Sequence, residues 1–309
     1  MGVSPLEPHP SPAEPWPSDY PYVPPIPRLR APRPIDRPWR FLFLFLLTVL
    51  TTLWAGFFNS GGSWVGAAGY SISILAILGV HEMGHYLACR YYGVDASLPY
   101  FLPMPFLLTG TLGAFIRIRE QIPGKRELFD IGIAGPIAGF LVAIPVMLIG
   151  VALSEVVPIE PGGLWLGEPL LLKAAVLVVH GPLPEGHTIA THAVAFAAWF
   201  GLLATAINLF PIGQLDGGHI SYAVLGPRST QITIAGVAAL VGLSFVSSTW
   251  IVWAVLTGIM LLAFGPRHPR TADEDVPLDK TRLWLAAFAL FMLIVCFTPV
   301  PIEILDITT

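Results

Sequence analysis

The sharpest chemical signal in this chain lies within five positions, His81-Glu82-Met83-Gly84-His85. Residues four apart on an α-helix share a face, so two imidazoles can reach one metal ion while the Glu82 carboxylate sits beside it as general base. Zinc suits such ligands and brings the pKa of a bound water to about 7, which supplies hydroxide at neutral pH. The pattern stands inside an apolar run, residues 73–80 before it and Tyr86, Leu87 and Ala88 after it. Ionisable groups at membrane depth are costly and are kept for function. That setting favours a metal site over a helix that merely carries two histidines and a glutamate.

A catalytic zinc takes three protein ligands and keeps one position open. The next candidates close a later apolar run, from Asn208 through Pro211 and Gly213 to Asp216, Gly217, Gly218 and His219. Proline and glycine break the helix there and expose backbone to a ligand or substrate. Asp216 is the only aspartate between Asp130 and Asp273 and offers a hard oxygen donor. Read alone, it fits a turn cap as well, and His219 competes for the third position. His180, His187 and His192 fall on the other side of the apolar runs and are read as non-ligands.

The elements that must hold these residues are membrane spans. The chain of 309 residues is 54% hydrophobic and 12% charged, half the charge of a soluble domain at about 25%. Apolar runs long enough for a bilayer core of about 20 residues fall near 41–58, 67–92, 130–153, 190–210, 231–247, 249–265 and 283–299. The expected architecture is therefore all-α and polytopic, with about seven transmembrane helices. Residues 163–181 hold too short an apolar run to cross and read as interfacial or re-entrant. With seven spans, 15 of the 16 lysines and arginines fall on one side and Lys173 alone on the other. The positive-inside rule then puts the N-terminus inside.

Residues 1–38 carry 13 of the 31 prolines, so they read as an extended, disordered cytoplasmic tail without a cleavable signal peptide. The two cysteines, Cys89 and Cys296, are far apart in apolar stretches and read as buried thiols. No basic tract interleaved with aromatics suggests nucleic acid. The lipid bilayer is the expected surrounding.

The pairing of H-E-x-x-H with N-x-x-P-x-x-x-L-D-G downstream resembles the site-2 protease family of intramembrane zinc metallopeptidases, peptidase M50. The likeness covers roughly residues 67–225 and includes 109–119 and 130–139. It is closest to the bacterial and chloroplast branch without a PDZ domain. The resemblance implies that His81, His85 and Asp216 bind one Zn2+, that Glu82 activates water, and that Asn208 steadies the oxyanion. It also implies a short membrane-embedded β-hairpin near 99–118 whose edge pairs with an unwound substrate. The domain plan becomes a tail (1–38), a transmembrane metalloprotease domain (39–300) with its catalytic core near 67–225, and a short tail (301–309). The implied partner is a membrane protein with a transmembrane segment. The implied location is a bacterial inner membrane, with a plastid membrane as the alternative. Where the family's glycine-proline motif often ends in Asn, Gly139 and Phe140 stand here, so Gly132, Ala134, Gly135, Ala138 and Gly139 read as helix-packing surface. An inactive scaffold that binds helices would keep the fold and lose ligands or base, and this chain has all four of His81, Glu82, His85 and Asp216.

Overall fold

A computed structural model describes residues 37–304, except 106–107, 160–163, 266–268, 272 and 274–275. The proline-rich segment and residues 305–309 therefore lie outside the described residues, apart from Arg37 and Pro38.

Helix α1, Pro38–Asn59, opens on a proline at its first turn, where the missing N–H leaves no bond unmade. Helix α2, Trp64–Tyr91, is capped by Ser63, whose Oγ accepts the Gly66 N–H at 3.2 Å. The remaining helices are α3, Lys125–Ala152; α4, Leu170–His180; α5, Ala193–Asn208; α6, Asp216–Leu225; α7, Ser229–Leu243; α8, Thr249–Phe264; and α9, Lys280–Cys296. Each of the seven apolar runs holds a helix. Four helical stretches are long and apolar enough to cross a membrane: Pro38–Asn59, Trp64–Tyr91, Lys125–Ala152 and Asp216–Leu243. The last departs from the sequence expectation, which began a span at 231. Gly226 and Pro227 make a single 3-10 turn that joins α6 to α7 instead of separating them. Helix α8 leaves Val252, Val255, Ile259 and Leu262 exposed, Leu262 at 90%, and such a face suits lipid better than water.

Helix α2 packs chiefly on α3 and α1, and α3 on α5. Small residues set this spacing. A Cβ on Gly84 would stand 2.5 Å from the Ala134 carbonyl oxygen of α3, so the two backbones approach as closely as small-residue seams in membranes permit.

Strands β1, Tyr100–Pro103, and β2, Thr111–Phe115, pair antiparallel, with Tyr100 opposite Phe115 and a bulge between Leu102 and Pro103. The ladder continues through the Ser97 N–H to the Arg117 carbonyl at 3.0 Å and the Arg119 N–H to the Asp95 carbonyl at 2.9 Å. The pair is fastened to the first two helices. Tyr70 of α2 donates its hydroxyl to the Thr109 carbonyl at 2.9 Å, and Asn59 at the end of α1 donates to Leu108 at 3.0 Å.

Two further strand pairs fall outside the all-α expectation. Strand β3, Glu155–Pro158, pairs with β5, His187–Ala190, and β4, Leu164–Leu166, pairs with β6, Ile302–Ile304. These strands are three or four residues long, and their partners come from distant sequence, so no local period announces them. The segment expected as a short tail thus begins with a strand.

Three polar side chains meet where α2, α3 and α9 end or begin. Arg282 of α9 grips both oxygens of Asp130 of α3, with Nε at 2.9 Å from Oδ1 and Nη2 on Oδ2. Tyr92, just past α2, donates its hydroxyl to the same Oδ2. Burial, followed by that bond, raises the Tyr92 phenol above its ordinary value. Asp279 caps α9 by accepting the Arg282 N–H at 3.0 Å and also takes its guanidinium. Those two bonds hold its carboxyl below the usual range.

Candidate active site

His81 and His85 project from one face of α2 toward the start of α6. Their Nε2 atoms are 3.2 Å apart. Asp216 completes the triangle, with Oδ2 at 3.2 Å from His81 Nε2 and Oδ1 at 3.2 Å from His85 Nε2. Four donors at tetrahedral angles and 2.0–2.1 Å from zinc would be ~3.3 Å apart. Two imidazole nitrogens at 3.2 Å from each other, each at 3.2 Å from one oxygen of the same carboxylate, come close to that spacing, so this donor set suits the ion. These three are the set of side chains, among the described residues, that could hold a metal ion. His81, Glu82 and His85 are all buried.

The sequence places Asp216 far from the histidines, and the turn between α5 and α6 returns it. Helix α5 ends at Asn208, Pro211 prevents its continuation, and Gly213 takes a left-handed φ of +52°. The chain then packs back on itself so closely that a Cβ on Gly217 would lie 2.1 Å from the Leu209 carbonyl oxygen. Asn208 at one end of this turn and Asp216 at the other both reach His81. Asn208 Nδ2 lies 3.4 Å from His81 Nε2.

Helix α3 fixes the second histidine. Its Ile131 carbonyl accepts the His85 Nδ1–H at 2.7 Å, which leaves Nε2 as the free lone pair. Gly135 lies under the same ring, where a Cβ would meet Nε2 at 2.1 Å, and Gly139 lies under His81. The run from Gly132 to Gly139 therefore makes room for imidazoles as well as packing helices.

Glu82 lies beside the strand pair and lines one cavity with Leu112, Gly113 and Ala114 of β2. Among the described residues β2 pairs only with β1, so its other edge has no strand partner. The cavity, of about 110 Å³, is also lined by His81, Asn208 and Trp253 among others. Sequence reading did not single out Trp253.

His219, the competitor for the third ligand position, is one turn further along α6. It faces a separate cavity of about 620 Å³ with Arg117, Gln214 and Arg270. His180 and His192 serve the backbone. His180 Nε2 bonds the Val151 carbonyl at 2.9 Å, and His192 caps α5 by accepting the Val194 N–H at 3.2 Å.

The sequence pattern of Peptidase family M50 matches residues 69–249, more than half the chain, and contains His81, Glu82, His85, Asn208 and Asp216. The chain belongs to Peptidase family M50. Among its relatives in that family is the probable zinc metalloprotease EGY2, chloroplastic, of Arabidopsis thaliana. It is 34% identical over 230 residues, which are 73% of this chain and 40% of that protein. The probable zinc metalloprotease EGY1, chloroplastic, of the same plant is 27% identical over 235 residues, 74% of this chain and 42% of that protein. The chain thus spans about two fifths of the length of these relatives. The site-2 protease from Methanocaldococcus jannaschii covers 82% of this chain and 86% of its own at 19% identity and a TM-score of 0.32, too loose a likeness to support more. Membership of family M50, together with the apolar helices, makes this a multi-pass membrane protein.

Proposed function

We propose that this chain is an intramembrane zinc metalloendopeptidase that hydrolyses peptide bonds in the transmembrane segments of membrane proteins, as in regulated intramembrane proteolysis. The observation that carries the reading is the meeting of His81, His85 and Asp216 beside Glu82, with the two Nε2 atoms 3.2 Å apart and each 3.2 Å from one Asp216 oxygen. Zinc held by these three would act as a Lewis acid and bring water into nucleophilic form near neutral pH.

The protein's own groups do the rest. Glu82 takes the proton of the attacking water and returns it to the leaving amine. Asn208 donates its side-chain amide to the oxygen that gains charge as the carbonyl carbon becomes tetrahedral. A helical peptide bond is shielded, so the substrate unwinds before cleavage. The unpaired edge of β2 receives the unwound stretch by strand addition. The cavity that Glu82 shares with Leu112, Gly113 and Ala114 supports this, because it puts the base beside the strand that would dock the peptide. Pairing there also satisfies backbone groups that lipid cannot.

Seven spans with the N-terminus inside remain the topology best matched to the charge pattern, with α5, α8 and α9 completing the set and α4 too short to cross. His85 is roughly 10 Å from the basic end of α2 at 1.5 Å per residue, so the site opens toward the inner face. The membrane is a bacterial inner membrane, or a plastid membrane as the names of the relatives suggest.

The test is reconstitution of the full chain in proteoliposomes with a panel of synthetic single-span peptides that carry helix-breaking residues, read by mass spectrometry. Fragments cut within the span by zinc-loaded protein and absent with Glu82→Gln support the proposal. Equal fragments from both proteins, or none across the panel, would leave the helix-binding scaffold as the better reading.

A further inference from the structure

We propose that the Asp130–Arg282 pair is a positioning device for the zinc ligand His85. The inference rests on the zinc-site reading above. Asp130 is one residue before Ile131, whose carbonyl takes the His85 Nδ1–H at 2.7 Å. That bond selects the tautomer that leaves Nε2 facing Asp216. Its geometry depends on how far α3 has slid along α2. A helix advances 1.5 Å per residue, so a slide of two residues carries a 2.7 Å contact out to about 4 Å and breaks it.

The side chain of Ile131 is buried against Cys89, Val94 and Ala96, but apolar contacts tolerate small sliding. The directional constraint comes from the residue before it. The Arg282 guanidinium holds both Asp130 oxygens in a fork, and Tyr92 at the end of α2 holds one of them as well. Through this carboxylate α9 and the end of α2 both fix the start of α3. Arg282 and Asp130 are only 21% and 22% exposed. Such a bidentate pair is stronger and more directional than an exposed one. Loss of one partner leaves an uncompensated charge in a mostly buried place, and α3 must shift to hydrate it. Neither residue touches the metal triad, and the pair joins positions 152 apart in sequence.

The experiment measures zinc affinity by chelator competition on full-length, monodisperse protein in detergent, alongside thermal unfolding. Arg282→Ala is expected to weaken zinc about 10-fold or more, within the 10–100-fold range of lost outer-shell partners. Asp130→Asn, which keeps the shape and removes the charge, is expected to move the same way and serves if Arg282→Ala does not fold. Arg282→Lys, which keeps the charge but not the fork, is expected to recover part of the affinity. Wild-type zinc affinity in both Arg282→Ala and Asp130→Asn overturns the proposal, even where thermal stability falls. Wild-type protein that binds no zinc is a different failure, because it removes the metal reading itself.

Discussion

Gly135→Ala should empty the metal site without touching a ligand. A Cβ at position 135 would fall 2.1 Å from His85 Nε2, 2.4 Å from Cδ2 and 2.6 Å from Cε1, against an ordinary contact of at least 3.4 Å. The ring must therefore yield by about 1.3 Å. It cannot do so and keep its place, because Nδ1 is bonded to Ile131 at 2.7 Å. Zinc–nitrogen bonds tolerate about 0.2 Å, so the displacement removes one of three ligands. The expected loss of zinc affinity is at least about 100-fold, at or above the upper end for an outer partner. Overpacking should cost about 1–3 kcal/mol of stability, which leaves a folded protein to measure. Gly139→Ala is the graded comparison. Its Cβ would meet His81 Cβ at 3.0 Å and Nδ1 at 3.2 Å, so His81 need move only ~0.4 Å. That move still exceeds the tolerance of the bond, so zinc affinity there should fall by about 10-fold, less than at Gly135. Chelator competition on both variants reads the result. Wild-type affinity in Gly135→Ala would refute the placement of His85 against α3.

Glu82→Gln should keep zinc and lose peptide hydrolysis by about 10²–10⁴-fold, the usual contribution of a general base, as measured by metal content and fragment yield. Asn208→Ala should lower kcat by about 10²–10³-fold with zinc retained, if its amide serves the developing oxyanion; unchanged turnover would make it only a helix-end amide. His219→Ala should leave zinc content at the wild-type level, because that side chain faces the 620 Å³ cavity; its loss would mean that the metal set is misassigned. Gly217→Ala should weaken zinc, because a Cβ 2.1 Å from the Leu209 carbonyl forces Asp216 out of line, and metal analysis of the folded fraction checks this.

Much of this site could be read before folding because helix geometry is local. His81, Glu82 and His85 announce themselves by a four-residue spacing inside an apolar run. Asp216 was harder. Residue chemistry alone left it level with His219, three positions on, and the family resemblance favoured it. The structure shows the physical difference: Asp216 is the first residue of α6 and meets α2, whereas His219 sits a turn later on another cavity. The apolar runs all hold helices, yet their bounds depended on whether Gly226 and Pro227 break or merely bend the chain. The short strands β3 to β6 were invisible because each depends on a distant partner. So did the node of Tyr92, Asp130 and Arg282, although two opposite charges, each beside an apolar run, were a signal to look for one. The cavity that joins Glu82 to Ala114 of β2 could not be read at all, since it depends on how the strand pair packs against α2.

The measurement that tests the central claim most directly is the zinc-to-protein ratio of the purified full chain, wild type beside Asp216→Ala. The account predicts about one zinc per wild-type chain, the stoichiometry of a three-ligand site with an open position, and a clear loss in the variant. No zinc in the wild type, or the same content in both, would contradict it.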